Sequence, residues 1–346
     1  MLMRRRLLAT ALAAPFLVPG NARAASEVLV RTSGGAYEDI MRKAVYDPFT
    51  KATGIQVIPV AATTSKLFAM LRARNVELDV IDTGDGVLIT LEKMGALAPI
   101  AYDAWRIGKP EEITKELRLP YRTGNFVYST VLGYRTDVFK AAHPTNWAEF
   151  WDVGRFPGPR TLADVASGQT HLEFALLADG VPMDKLYPLD LDRAFRSLSR
   201  LRPSVPKFWD TGALSAQLLA DKEVVAGAIW NGRLQTVIDK GAPLAMEWNQ
   251  NMIMVQAYSV LKDAPNRENG QRFIDFAAQA GPQAEYSRAL NYGPANARAF
   301  DLMPPAIVSA LPGGPESRAK GFYQDADWWD VNRDRVIKTW ARWILG

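Results

Sequence analysis

Between residues 28 and 95, short apolar runs alternate with segments of helical period, and a glycine or a polar turn marks most of the switches. Val28-Leu29-Val30 reads as a buried strand, and Ser33-Gly34-Gly35 as the turn that leaves it. Tyr37 to Lys51 spaces Ile40, Ala44, Val45 and Phe49 as one helix face does; Gly54 suits a left-handed cap, and Ile55 to Val60 is the next strand. Ser65 to Arg74 is again helical, Leu78 to Ile81 is a strand, and Val87 to Met94 is a helix stopped by Gly95. A β-α-β-α-β-α order with short loops predicts a parallel sheet covered by helices. In such sheets ligands bind outside the carboxyl ends of the strands. That rule singles out Ser33–Tyr37, Ala61–Ser65 and Asp82–Gly86 as candidate loops.

A second α/β region starts near Phe139 and runs to about Asn251. Pro144 precedes a capped helix through Thr145–Trp151, and Arg193 to Arg200 is amphipathic around Ala194, Phe195 and Leu198. Val224 to Trp230 is a continuous apolar run bounded by charges and by Asn231-Gly232, which predicts a buried strand with Trp230-Asn231 at its carboxyl end. Gln271 to Ala280 reads as a helix, and Asp330 to Leu345 places Val336, Trp340 and Trp343 on one face. There is no internal repeat or Pro/Ser linker, so the two regions are expected to share more than one crossover strand.

The chemistry available is narrow. The 346 residues contain no cysteine and two histidines, His143 and His171. That excludes thiol nucleophiles, disulfides and cysteine-held metals. No phosphate loop, nucleophile elbow, H-E-x-x-H or dinucleotide fingerprint is present. Asp79, Asp82 and Asp85 recur every third residue but run from a strand into a loop, so they share no helix face and predict no metal site. His143 precedes Pro144 in a surface loop, whereas His171 lies beside Glu173 at a helix start; an exported hydrolase built on that pair is the alternative from another class.

Residues 1–24 read as a signal peptide: Arg4, Arg5 and Arg6, an apolar stretch from Leu7 to Val18, then Ala22-Arg23-Ala24 as a cleavage site. The apolar stretch is shorter than the ~20 residues a membrane span needs. Arg4-Arg5-Arg6-Leu7-Leu8 also fits a twin-arginine (Tat) signal, and either route predicts a periplasmic protein. Four of the 41 basic residues lie in this leader, so the mature chain balances its 37 acidic residues. A neutral chain carries no electrostatic footprint for nucleic acid.

Export, two α/β regions and the missing catalytic groups favour a binding protein. Asp47–Ile55, Leu78-Asp79-Val80-Ile81, Gly95-Ala96-Leu97, Pro144–Trp151, Val225–Gly232, Asp263–Phe276 and Tyr292–Asn296 occur in an order and spacing that resembles the periplasmic solute-binding proteins of ABC importers, in the group with the spermidine/putrescine-binding proteins. The resemblance implies an α/β, two-lobe periplasmic-binding-protein fold (type II), each lobe a mostly parallel sheet flanked by helices and joined by a two-strand hinge. It implies residues 25–133 plus 253–301 as the first lobe and 134–252 plus 302–346 as the second. It further implies a monomer, without cofactor or metal, that closes over a small polar solute and delivers it to an inner-membrane permease.

Carried across by position, the ligand contacts implied in the first lobe are Gly35, Tyr37, Asp85 and Ser129, and in the second Trp230, Asn231 and, at the return crossover, Gln256. Trp230 offers a flat wall for an alkyl chain or an amine cation. Where polyamine binders present an aspartate, this chain has neutral Gln256, with Asp85 and Glu173 as the carboxylates that would compensate. Arg233 and the Glu247–Asn251 stretch with Trp248 extend the candidate set, and Arg233 would suit a carboxylate ligand. The expected ligand is a polyamine or small amine first, a carboxylate or amino-acid-like compound second; ferric ion comes third, since the chain has no Tyr-Tyr pair. A protein that presents its ligand to a sensor would have the same cleft.

Overall fold

The computed structural model describes residues 26–346, so the expected leader lies outside the described residues. The alternating segment gives β1 (Glu27–Thr32), β2 (Gln56–Ala61) and β3 (Val80–Gly84). They are followed by β4 (Leu97–Ala98), β5 (Thr123–Arg135), β6 (Arg160–Thr161), β7 (Ala226–Trp230), β8 (Leu244–Leu261), β9 (Gly293–Pro294) and β10 (Gly321–Tyr323). The main path of the sheet runs β2-β1-β3-β8-β5-β7-β6. β1 is parallel to β2 and β3, and β6 to β7; β8 is antiparallel to β3 and β5, and β7 to β5. Parallel pairs thus lie at both ends of the sheet, with two long antiparallel strands in the middle.

Those strands are the crossovers. At about 3.3 Å per residue, the 13 residues of β5 and 18 of β8 are long enough to serve two cores. Their ladder extends from Thr123 opposite Tyr258 to Arg135 opposite Leu244, with register shifts at Gly124/Phe126 and Thr130/Leu132. An extra residue in one strand of a pair bends it and increases its twist. On one side of the second shift Val28, Phe49, Val80, Phe126, Phe273 and Tyr286 form a core. On the other, Trp147, Phe174, Leu198, Ala228, Met252 and Trp340 form another.

Local signals mostly place the helices. Gly54 and Gly95 take the left-handed conformation, at φ 72° and 68°, and the Asn146 side chain caps Trp147–Trp151 by accepting from Glu149 N–H. The expected Tyr37–Lys51 helix spans Gly35–Thr53 with a π-helical turn at Arg42–Tyr46. The C-terminal helix begins at Ala326 rather than Asp330, because Asp325 caps it by accepting from Trp328 N–H at 2.8 Å. The helix expected at Gln271–Ala280 runs from Arg267 to Ala277. Met303 and Leu311, expected in the second lobe, are buried against Ala284 and Ala299 instead.

Asp79 ties these layers together. Its carboxyl group accepts from Leu29 N–H at 2.8 Å and from Asn266 N–H at 2.6 Å, linking β1, β3 and the approach to Arg267–Ala277. Replacing Asp79 with Ala strands two backbone donors, each worth roughly 1–3 kcal/mol when buried and unsatisfied. Urea unfolding of Asp79→Ala is therefore expected to show a loss of about 3 kcal/mol; a loss under about 0.5 kcal/mol, the range of an ordinary surface change, would contradict this role.

Candidate functional site

A cavity of about 250 Å3 opens where the carboxyl ends of β3 and β7 meet the middle of β5 and β8. Gly84, Asp85, Gly86 and Val87 line it from the end of β3 and the helix Asp85–Lys93, hereafter the cleft helix. Tyr128, Met254 and Val255 come from the long strands, and Trp230 from the tip of β7. Ser167, Gly168 and Gln169 form a third wall, and Gln324, just before the C-terminal helix Ala326–Leu345, forms a fourth with Ala326, Trp329 and Arg333 on that helix. Asp85 is the single carboxylate and Arg333 the single cation among these lining residues.

The aromatic walls are held from behind. Trp230 meets Tyr128 edge-on, with ring centroids 6.1 Å apart, and Trp209 at 5.4 Å. Its Nε1–H donates to Gln169 Oε1 at 3.2 Å. Trp329 Nε1–H donates to Glu173 Oε1 at 2.7 Å, and Tyr187 O–H donates to the same oxygen at 2.6 Å. Both indole N–H groups are thereby occupied by protein acceptors, so what these side chains contribute to the cavity is ring carbon surface. Burial pushes the Glu173 carboxyl group up, against the pull of its hydrogen-bond donors.

Asp85 starts the cleft helix, where a carboxylate suits the positive end of the helix dipole. Its Oδ1 lies 2.5 Å from Arg122 Nε, and Arg122 also pairs with Glu92. Burial raises the Asp85 carboxyl group, with Arg122 opposing the shift. Arg333 is exposed and belongs to none of the ion pairs among the described residues. It reaches across to the cleft helix, since a Cβ added at Gly86 would sit 3.5 Å from its Nη2.

Of the residues expected at the ligand, Asp85 and Trp230 line this cavity; the others are placed elsewhere. Tyr37 O–H donates to Asp82 Oδ2, and Gln256 Nε2–H donates to Asp82 Oδ1 at 2.8 Å. Asn125 adds a third neutral donor to Asp82 at 3.2 Å, and Arg31 bonds the Asp82 carbonyl. The buried Asp82 carboxyl group is raised by desolvation and pulled back by these donors. Gly35 is exposed at the start of the Tyr37 helix with φ 60°. Ser129 N–H donates to Asn231 Oδ1 at 3.0 Å, Ser129 Oγ–H to Asn251 Oδ1 at 2.8 Å, and Asn231 Nδ2–H to the Asn291 carbonyl at 2.7 Å. Ser129 and Asn231 thus fasten the hinge. Trp248 packs on the core around Val131 and Trp209, and Arg233 is exposed outside the cavity lining. Glu173 stands behind Trp329.

His171 and Glu173 do not bond to each other. Ala163 N–H donates to His171 Nδ1 at 3.1 Å, and Nε2 faces Gln169 Oε1 at 3.2 Å. A neutral ring with its proton on Nε2 satisfies both contacts, and burial pushes the imidazole down to about 3. Sequence reasoning missed Tyr128, Gln169, Met254, Gln324, Trp329 and Arg333. The Asp325 cap was the available signal: a helix begun there puts Ala326, Trp329 and Arg333 at i, i+3 and i+7, on one face.

A family model described as bacterial extracellular solute-binding protein matches residues 44–313. A gamma-aminobutyric acid-binding protein of Pseudomonas aeruginosa is 31% identical over 330 residues, 93% of this chain and 92% of that one. An ABC transporter substrate-binding protein from Bradyrhizobium japonicum superimposes with a TM-score of 0.85 at 32% identity, covering 92% of this chain and 99% of the other. A solved GABA receptor gives a TM-score of 0.82 at 32% identity, covering 92% and 97%.

The buried neutral His171 has a pH signature. Its folded pKa lies below the unfolded value near 6.5, so the unfolded chain binds the extra proton and native stability falls as pH drops through 6.5. Between pH 7 and 5 this one group costs about 2 kcal/mol. Chemical denaturation of His171→Asn beside the parent is expected to show their stability gap narrowing by that amount on acidification; parallel curves would contradict a neutral His171.

Proposed function

The chain belongs to the bacterial extracellular solute-binding proteins, and from that premise we propose that its cleft captures a small zwitterion, an ω-amino acid of the γ-aminobutyrate kind. As the substrate-binding component of an ABC importer, it does no chemistry on its cargo in this reading. A monomer delivered to the periplasm by the leader 1–24 would hold the solute between its lobes and pass it to a membrane permease.

The observation that carries the ligand class is the charge inventory of the cavity: one acid, Asp85, and one base, Arg333, among aromatic, amide and small side chains. A guanidinium matches a carboxylate in plane and in donor spacing. The Asp85 carboxyl group and the faces of Trp230 and Tyr128 suit an ammonium. A volume of about 250 Å3 is below the usual ~300–1,000 Å3 of larger ligand pockets, which favours a ligand with few heavy atoms. The relatives named for γ-aminobutyrate support the same class.

This order reverses the first expectation of a polyamine. A diamine would bring a second ammonium into a small cavity whose other charge is already positive, and Gln256 is committed to Asp82. Titration calorimetry of residues 25–346 is expected to show γ-aminobutyrate bound more tightly than putrescine. Arg333→Ala should weaken γ-aminobutyrate at least tenfold, which is about 1.4 kcal/mol. Tighter binding of putrescine by the parent protein, or an Arg333→Ala variant with unchanged affinity, would overturn the reading.

A further inference from the structure

The cleft helix and the C-terminal helix meet a second time, away from the cavity. Thr90 Oγ1–H donates to Asp330 Oδ1 at 2.6 Å, and Lys93 Nζ–H donates to Asp330 Oδ2 at 2.8 Å. Thr90 and Lys93 sit one and two turns along from Asp85, on a helix rooted by Leu88 and Leu91 in the core around Ile81. Asp330 adjoins Trp329, on a helix rooted by Trp329, Val336 and Trp340 in the core around Phe174. The contact therefore joins a helix of one half to a helix of the other, independently of the β5–β8 ladder.

We propose that Asp330 is a positioning residue for solute retention: its paired bonds to Thr90 and Lys93 clasp the two halves and set how long the cleft stays shut. The two helices that carry the clasp also supply Asp85, Gly86 and Val87 on one wall and Ala326, Trp329 and Arg333 on another. Bringing those walls together over a solute and forming the clasp are the same movement. The geometry also makes the contact separable from folding. Each partner is anchored in its own core, so losing the clasp loosens the relation between the halves and leaves each half packed. Asp330 keeps 18% of its side-chain surface and Lys93 50%, so water and salt reach the pair and its strength should fall with ionic strength.

The proposal rests on the reading that this cleft holds a solute, so its test begins without one. The chain has no cysteine, which permits spin labels at Lys66→Cys and Lys338→Cys, exposed positions on the two halves. In the solute-free protein, Asp330→Ala and Thr90→Val are each expected to widen the inter-label distance distribution, while Tm stays within a degree or two of the parent. The charge swap Lys93→Asp with Asp330→Lys should narrow it again. With γ-aminobutyrate as probe, Asp330→Ala should raise the release rate by roughly tenfold, the scale of a lost charge-assisted bond, and leave the association rate nearly unchanged. Unaltered distances in both single variants overturn the clasp whatever solute binds, and so does a swap that stays as open as Asp330→Ala. A clasp that passes the distance test with γ-aminobutyrate unbound would instead count against the ligand assignment alone.

Discussion

The ladder between β5 and β8 is the constraint on which the rest depends, because both strands pass from one core to the other. A single strand would let the halves swivel, whereas two hydrogen-bonded antiparallel strands restrict them to bending about the ladder. The register shift at Thr130/Leu132 supplies a place to bend. Tyr128, Met254 and Val255 stand beside that shift and line the cavity, so the cavity is built at the hinge itself. Ser129, Asn231 and Asn251 join the strands and the helix after β7 through side-chain bonds at the same level. Their amide and hydroxyl groups are spent on holding the hinge.

Around this hinge, buried titratable groups are held by neutral partners. Asp82 receives Tyr37, Asn125 and Gln256; Glu173 receives Tyr187 and Trp329; His171 sits between Ala163 N–H and Gln169. Buried polar groups of this kind are costly if any partner is lost, and two of these partners, Gln169 and Trp329, line the cavity. The consequence is a set of walls whose orientation is fixed before a solute arrives: Gln169 holds Trp230, and Glu173 holds Trp329. Preorganised walls reduce the ordering that binding must otherwise impose.

The first half was legible because strand, turn and helix signals agree there. The end of β3 was singled out by the rule for carboxyl ends of strands and Trp230, at the end of β7, by the resemblance; Asp85 and Trp230 both line the cavity. The two-strand hinge came from the resemblance rather than from residue patterning, and β5 and β8, which carry Ser129 and Gln256, supply it. The centre of β8, Glu247–Asn251, has the composition of a loop, yet its amides are paired: Gln250 accepts from Trp147 N–H, and Asn251 donates to the Trp248 and Ser317 carbonyls. Those polar groups extended the candidate ligand set in the sequence, whereas in the fold they pair with the protein. Tyr37 and Gln256 were implied as ligand contacts by the resemblance and Glu173 as a compensating carboxylate; in the fold Tyr37 and Gln256 donate to Asp82, and Glu173 accepts from Trp329. Arg333 and Trp329 were hidden by starting the last helix four residues late, which put them outside or at the edge of the periodic pattern.

The proposed function turns on one small solute bridging an acidic and a basic side chain within this hinge cavity. The most direct measurement is a crystal structure of residues 25–346 grown with γ-aminobutyrate. The account predicts density between the halves, with the carboxylate in hydrogen-bond distance of the Arg333 guanidinium and the ammonium among Asp85, Trp230 and Tyr128. A solute lying with its carboxylate turned away from Arg333, or found anywhere other than this cavity, would contradict it.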